Sequence, residues 1–122
     1  MHKITDIFKR TDDRGSFIEC YNGTTGWQSI NGGFMNKGAL MGNHYHKKSE
    51  TLFFVLSGSA EVRARNTRDK NAAVTTWVCK AGEGTLFETL ETHAWTFLED
   101  SVFLLLKSKK YTGDDDTFAE QV

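Results

Sequence analysis

Short runs of aromatic and β-branched residues, each ending at a glycine or a polar turn, recur along most of this chain. No helical period extends beyond about two turns, and the aromatic content (nine Phe, three Trp and three Tyr) favours strands. This spacing predicts an all-β sandwich or barrel. The predicted strands are 16–21, 27–30, 33–37, 50–57, 60–66, 73–80, 84–90, 93–99 and 101–109.

Length and charge limit the classes of protein that the chain can belong to. The 122 residues suit one domain, here 1–122, with a short N-terminal strand or arm and a C-terminal tail from about 111. A net charge of −1 without a basic block gives no sign of a nucleic-acid partner. The longest apolar runs, LFFVL and FLLL, cannot span a membrane, and the N-terminus lacks the apolar run of a signal peptide. We expect a soluble, cytoplasmic protein whose Cys20 and Cys79 are reduced.

The segment 50–57 is apolar on both faces, so both faces should be covered. In a small barrel the outer cover is often a second subunit, which predicts a homodimer. After the segment, Gly58 favours a tight hairpin. The residues that follow alternate between apolar and charged side chains, which places Ala60, Val62 and Ala64 on the inward face.

Three histidines are candidate site residues, and the stretch around His44 and His46 also reads as a strand. His44 and His46 are two residues apart, so a strand turns both imidazoles to one face. His93 opens another strand, in which it shares a face with Trp95 and Phe97. Imidazoles gathered on one face can hold one metal ion or one substrate.

The spacing around these histidines resembles the two motifs of the cupin family. The first motif is Gly, five residues, His-x-His, three or four residues, Glu, six residues, Gly; here it runs from Gly38 through His44, His46 and Glu50 to Gly58. The second begins at Gly82 and keeps its histidine as His93. The Pro, second Gly and Asn of that second motif are replaced here by Glu88, Leu90 and Phe97.

The cupin resemblance implies an antiparallel jelly-roll β-barrel. In metal-binding members, three histidines and the glutamate converge on one ion. Here that set is His44, His46, His93 and Glu50, for zinc, iron, nickel or manganese. Seven residues rather than six separate Glu50 from Gly58, and this register turns Thr51 inward in place of Glu50. An empty barrel with hydrogen-bonded histidines is the alternative.

Shorter segments resemble sugar-nucleotide cupins. HYHKKSE (44–50) is similar to the thymidine-diphosphate keto-sugar 3,4-ketoisomerases, which require no metal and share the longer glutamate-to-glycine spacing. DDRGSFIECY (12–21) resembles the Asp-x-Arg-Gly-x-Phe segment of the same ketoisomerases, and it is also similar to the opening of the thymidine-diphosphate-sugar 3,5-epimerases. GNHYH (42–46) is similar to the C-terminal cupin of capsular-polysaccharide reductases, and the end of the chain resembles the Tyr- and Asp-rich close of these families.

This second resemblance implies an isomerase or epimerase of a keto-deoxysugar nucleotide. His46 would be the general base, assisted by His44, since histidine titrates near neutral pH. Tyr111 is a candidate acid or else a tail residue, and Arg14 is a diphosphate contact or else a surface charge. Trp95 either stacks on the ligand or packs in the barrel. Met41 and Gly42 replace the Arg-Gly of those families, which removes one expected phosphate contact.

Two other functions remain open at this point. One is a metal-dependent cupin, such as a small-molecule oxygenase or isomerase. The other is a non-catalytic cupin that binds a sugar or another small ligand.

Overall fold

A computed structural model of the protein describes residues 1–69, 71–110, 116–117 and 122. These residues form twelve strands. The part of the chain so described contains no helix, and hence no helix long and apolar enough to cross a membrane. The strands are β1 His2–Ile4, β2 Lys9–Asp12, β3 Gly15–Ile18, β4 Ser29–Met35, β5 Leu40–His46, β6 Thr51–Ser57, β7 Ser59–Asn66, β8 Thr75–Lys80, β9 Glu83–Phe87, β10 Glu91–Phe97, β11 Ser101–Lys107 and β12 Asp116–Thr117.

Two five-stranded antiparallel sheets form the jelly-roll barrel. One sheet has the order β1-β9-β6-β11-β4, and the other has the order β12-β5-β10-β7-β8. Strands β2 and β3 form a separate hairpin. The predicted all-β fold, an antiparallel jelly-roll barrel, is therefore confirmed.

Apolar side chains from both sheets fill the barrel interior. Because directly opposed residues share a face, the inward set can be followed from strand to strand through the pairing registers. The predicted alternation on β7 is correct, since Ala60, Val62 and Ala64 are all buried. The core consists of Phe53, Val55, Ala60, Val62, Ala64, Cys79, Phe87, Trp95, Phe97 and Phe103.

The turn at Gly58 differs from the predicted hairpin. Strand β6 pairs with β9 and β11, whereas β7 pairs with β8 and β10, so the chain crosses between the sheets here. Gly58 has a φ of +89°, and a Cβ at this position would meet the Asp100 carbonyl oxygen at 2.7 Å. Glycine is therefore needed here because the chain turns tightly from one sheet to the other and packs against the Asp100 backbone. It does not form the turn of a two-stranded hairpin.

Strand β6 is covered on both faces without a second subunit. Leu52 and Phe54 point away from the core side chain Phe53, yet all three are fully buried within one chain. The apolar outer face of β6 is therefore no argument for a homodimer. Exposed apolar side chains lie instead on β4, where Ile30 is 67% and Phe34 is 84% exposed.

Candidate functional site

Strands β5 and β10 bring the three predicted histidines together. His44 and His93 are directly opposed in the antiparallel ladder, and His46 lies two residues further along β5. The ring centroids are 4.8 Å apart for His44 and His46, 4.9 Å for His44 and His93, and 5.4 Å for His46 and His93. Their nearest ligand nitrogens all lie within 4.8 Å of one another.

A β-bulge in β5 fixes the position of the histidine pair. His93 opposes His44 but Ala94 opposes Gly42, so Asn43 is the extra residue between them. Gly42 and Asn43 both have positive φ, +99° and +62°. A Cβ at Gly42 would lie 2.6 Å from the His93 carbonyl oxygen, so only glycine allows β5 to approach β10 this closely.

His93 is held as a neutral imidazole with one nitrogen facing the cluster. Its Nδ1 lies 2.9 Å from the Glu91 carbonyl oxygen, and a carbonyl only accepts hydrogen bonds, so Nδ1 carries the proton. Among the described residues, its buried Nε2 has no hydrogen-bond partner. Burial, followed by the charges of His44, His46 and Lys107, lowers the pKa of His93 well below its ordinary value of 6.5. The Nε2 lone pair is therefore available to a proton or a metal ion.

Aromatic rings form the wall behind His93. Phe87 stacks on its imidazole at a centroid distance of 4.4 Å with an interplanar angle of 19°. Trp95 lies nearly parallel at 5.8 Å. These contacts fix the plane of the imidazole and keep that side of the cluster apolar.

Glu50 is not part of the histidine cluster. It precedes β6, where its backbone N–H donates to Ser108 Oγ and its carbonyl accepts from the Ser108 N–H. Thr51 instead takes the inward position, on the same face as Phe53 and Val55, and is buried. The cluster in the described residues is thus three imidazoles without a carboxylate.

Of the other predicted site residues, Trp95 lies in the core behind His93 and Arg14 lies on an exposed hairpin. Arg14 is on the β2–β3 hairpin with its side chain 77% exposed, and its Nη2 donates to Asp12 Oδ2 at 2.7 Å. Trp95 is a core residue whose ring stacks on Phe53 at 4.4 Å, so it offers no surface for stacking on a ligand. Tyr111 lies outside the described residues, as does most of the predicted C-terminal tail.

Lys107 is a residue near the site that sequence reasoning missed. It ends β11 and is buried, with a relative exposure of 9%. Its charge contributes to the lowered pKa of His93. Strand parity places Lys107 on one face with Phe103 and Leu105, but β11 is apolar on both faces, so the sequence did not show which face is inward.

The cluster fits a divalent metal ion by its donor set. Three neutral imidazoles suit zinc, iron, nickel and manganese, and a three-ligand site leaves coordination positions for water or substrate. His93 meets a further requirement, because the Nδ1–H bond to the Glu91 carbonyl orients its ring as in many metal-ligating histidines.

Comparison with known proteins identifies relatives of this architecture. A family model described as the polysaccharide biosynthesis C-terminal domain matches residues 10–110. A search of curated proteins found no match.

Solved structures share the fold at low sequence identity. A 3,4-ketoisomerase from Helicobacter canadensis has a TM-score of 0.81 and 19% identity, over 96% of this chain and 89% of that one. The dTDP-4-dehydrorhamnose 3,5-epimerase from Bacillus anthracis, with TDP and PPi bound, has a TM-score of 0.77 and 18% identity, over 92% and 74%. The capsular polysaccharide assembling protein CapF from Staphylococcus aureus has a TM-score of 0.70 and 24% identity, over 95% of this chain but only 35% of CapF.

Proposed function

Because this chain belongs to the polysaccharide biosynthesis C-terminal domain family, we propose that it isomerises or epimerises a nucleotide-linked keto-deoxysugar. The observation that carries the proposal is the cluster of His44, His46 and His93, in which the pKa of His93 is depressed and its Nε2 faces the cluster. The ketoisomerase and epimerase that share the fold support the same class of substrate.

The reaction needs a base that removes a proton beside a ketone. In the proposed step, an imidazole nitrogen takes the proton from the neighbouring carbon, and the electron pair of the broken C–H bond forms an enolate. A proton returned to another carbon, or to the other face, completes isomerisation or epimerisation. We assign His46 as the base with His44 assisting, and keep Tyr111 as the proposed acid. If the chain acts as the ketoisomerases that its sequence resembles, this reaction requires no metal.

Solvent exchange tests the function directly. The protein is incubated in D₂O with a thymidine-diphosphate 4-keto sugar, and deuterium incorporation and product formation are followed by NMR. Loss of a general base costs on the order of a hundredfold or more in rate, so His46→Gln should show that loss. His2→Gln is the matched control, since His2 is exposed on β1 and bonds to Glu88. Wild-type protein that binds the sugar without exchange or turnover would be a ligand-binding cupin instead.

A metal-dependent cupin is the second candidate function. The observation in its favour is that three imidazoles converge, which exceeds what a single general base requires. His44, His46 and His93 would hold the ion, which when bound supplies a Lewis acid. Elemental analysis of protein purified without chelator, followed by activity with and without the ion, separates this candidate from the first.

A further inference from the structure

The outward face of β10 is covered although it points away from the barrel core. His93, Trp95 and Phe97 share the inward face, so Thr92 and Ala94, which alternate with them, face outward. Both outward residues are nevertheless fully buried. The outer side of the strand that carries His93 is therefore not open to solvent at these positions.

The backbone of Val122 lies across this outward face. Arg63 on β7 and Gly42 on β5 both oppose Ala94, so the three residues form one row across the sheet. Arg63 Nε donates to the Val122 main-chain oxygen at 3.1 Å. The Val122 N–H donates to Asn43 Oδ1 at 3.0 Å. One residue is thus held between β7 and β5, on either side of β10.

Arg63 is a fixed anchor at the β7 end of this link. Its Nη1 donates to Glu61 Oε1 at 2.9 Å, and its Nη2 donates to Thr96 Oγ1 at 3.1 Å. These two bonds hold the planar guanidinium in one orientation, and its third donor bonds to Val122. Because Arg63 anchors Val122, Val122 in turn restrains Asn43.

Asn43 combines two properties that the bulge in β5 uses. Its φ of +62° is a conformation that asparagine tolerates better than most residues. Glycine would adopt this φ at no steric cost but would offer no side-chain acceptor. The asparagine side chain supplies the oxygen that accepts from Val122, so the residue ties the bulge to the covered outer face.

A second contact restrains β5 on the other side of His44. Strand β12 pairs with β5 along its edge, opposite Tyr45 and His46. Val122 holds β5 at Asn43, one residue before His44. The two contacts together enclose the part of β5 that carries both imidazoles.

The geometry points to Asn43 as a positioning residue for the histidine pair, through which the Val122 backbone holds His44 and His46 in place. The bond to Val122 lies outside the barrel and the imidazoles lie inside, so the restraint passes through the β5 backbone. Its effect on catalysis rests on the proposed function, whereas the positioning itself does not. A ligand that engages the imidazoles would in turn favour the bond between Val122 and Asn43, because coupling between two sites is reciprocal.

The first experiment observes the histidines by NMR without any substrate. Two-dimensional ¹H–¹³C spectra resolve the imidazole signals of His2, His44, His46 and His93. Val122→Pro removes the donated N–H, because proline has none. We expect this variant to move the signals of His44 and His46 and to leave the signal of His2 unchanged. Val122→Ala is the matched control, which keeps the N–H and should give the wild-type spectrum.

Variants of Asn43 test the other end of the same bond. Asn43→Gly keeps the positive φ and removes the acceptor, whereas Asn43→Asp keeps an acceptor oxygen and tolerates the same φ. Asn43→Gly should move the same histidine signals, and Asn43→Asp should lie closer to wild type. Adding Val122→Pro to Asn43→Gly should cause little further change, since both substitutions remove one bond.

Three results would overturn the positioning role. One is a Val122→Pro protein whose His44 and His46 signals stay at their wild-type positions. Another is a Val122→Ala protein whose signals move as far as those of Val122→Pro. The third is a double variant in which the shifts of the two single variants simply add. Thermal melting accompanies each spectrum, and a lower melting temperature with unchanged histidine signals would assign the bond to stability alone.

The second experiment connects the positioning to the proposed reaction. If wild type exchanges deuterium into the 4-keto sugar, Val122→Pro should lower kcat roughly twofold to thirtyfold with KM little changed. Asn43→Asp should lose less activity than Asn43→Gly. Wild type that never exchanges refutes the proposed function, while the histidine spectra still decide the positioning role. A wild-type kcat in Val122→Pro refutes the effect on catalysis.

Discussion

His44 and His93 are direct cross-strand partners on β5 and β10, with ring centroids 4.9 Å apart. The histidine cluster therefore depends on the register of one antiparallel pair. A slip of one residue would turn both His44 and His46 to the outer face. The bulge at Gly42 and Asn43 holds that register, so these two residues belong to the site although neither carries its chemistry.

Metal content should depend on His93 and not on Glu50. Only imidazoles belong to the cluster among the described residues, and Glu50 is engaged through its backbone with Ser108. After zinc loading and gel filtration, Glu50→Ala should keep the wild-type zinc content, whereas His93→Ala should lose most of it. Elemental analysis by mass spectrometry gives both values. An empty Glu50→Ala protein would mean that this carboxylate is a ligand.

Stability should fall in mildly acidic solution because of His93. Its folded-state pKa is below the ordinary 6.5, so below that pH the unfolded chain binds a proton that the folded chain does not. The free energy of unfolding then decreases as pH falls, by up to about 1.4 kcal/mol per pH unit for this one group. Urea unfolding at several pH values below 6.5 should show a shallower slope of the free energy of unfolding against pH for His93→Gln than for wild type. His2→Gln should keep the wild-type slope; equal slopes in all three proteins would contradict the prediction.

Glycine should be more stabilising than alanine at position 90. Leu90 has a φ of +62°, a conformation that costs a non-glycine residue about 1–2 kcal/mol. It follows β9 at the place where the cupin motif has glycine, and its N–H donates to the His46 carbonyl. Leu90→Gly and Leu90→Ala both remove most of the leucine side chain. The difference between their free energies of unfolding therefore reports the cost of the positive φ. We expect the glycine variant to be more stable by about 0.5–1 kcal/mol, the reverse of the order usual in strands. Chemical denaturation measures this, and a more stable alanine variant would show that the strain is absent.

A dimer of this chain should form through β4. That strand is at the edge of its sheet and presents Ile30 and Phe34 to solvent. An exposed apolar edge strand is a template for pairing with another chain, and a two-fold axis would pair it with itself. Light scattering should give about twice the chain mass for wild type and the chain mass for Phe34→Lys. Leu98→Lys, on a different exposed apolar side chain, is the control and should stay dimeric. A monomeric wild type at high concentration would exclude the dimer.

Much of the site could be predicted because it follows from strand parity and motif spacing. The His-x-His pair has to lie on one face of any strand, and the His93 position follows from the second motif even though three of its usual residues are replaced. The barrel class followed from the turn spacing. The burial of Ala60, Val62 and Ala64 followed from alternation with charged residues.

The remaining features depend on tertiary contacts that a single sequence does not specify. Strand β11 is apolar on both faces, so its parity alone could not show that Lys107 points inward. The sequence predicted separate strands at 27–30 and 33–37, yet the single strand β4 runs from Ser29 to Met35. A Cβ at Gly32 would lie 3.0 Å from the Phe103 carbonyl oxygen, so this glycine permits close packing instead. The crossing at Gly58 likewise depends on which partner each strand finds.

The pairing of β5 with β10 also has a consequence for folding and synthesis. His44 and His46 emerge from the ribosome well before His93, and each strand of the pair finds its partner only after the intervening β6 to β9 have been made. Such non-local pairing raises contact order, which slows folding. A nascent chain that ends before β10 holds two of the three imidazoles but lacks His93 itself, the Glu91 carbonyl that fixes its tautomer, and Trp95 from the wall behind it. The site for a metal ion or a substrate is therefore complete only after β10 has been synthesised and has paired with β5. Binding of either ligand follows closure of the barrel.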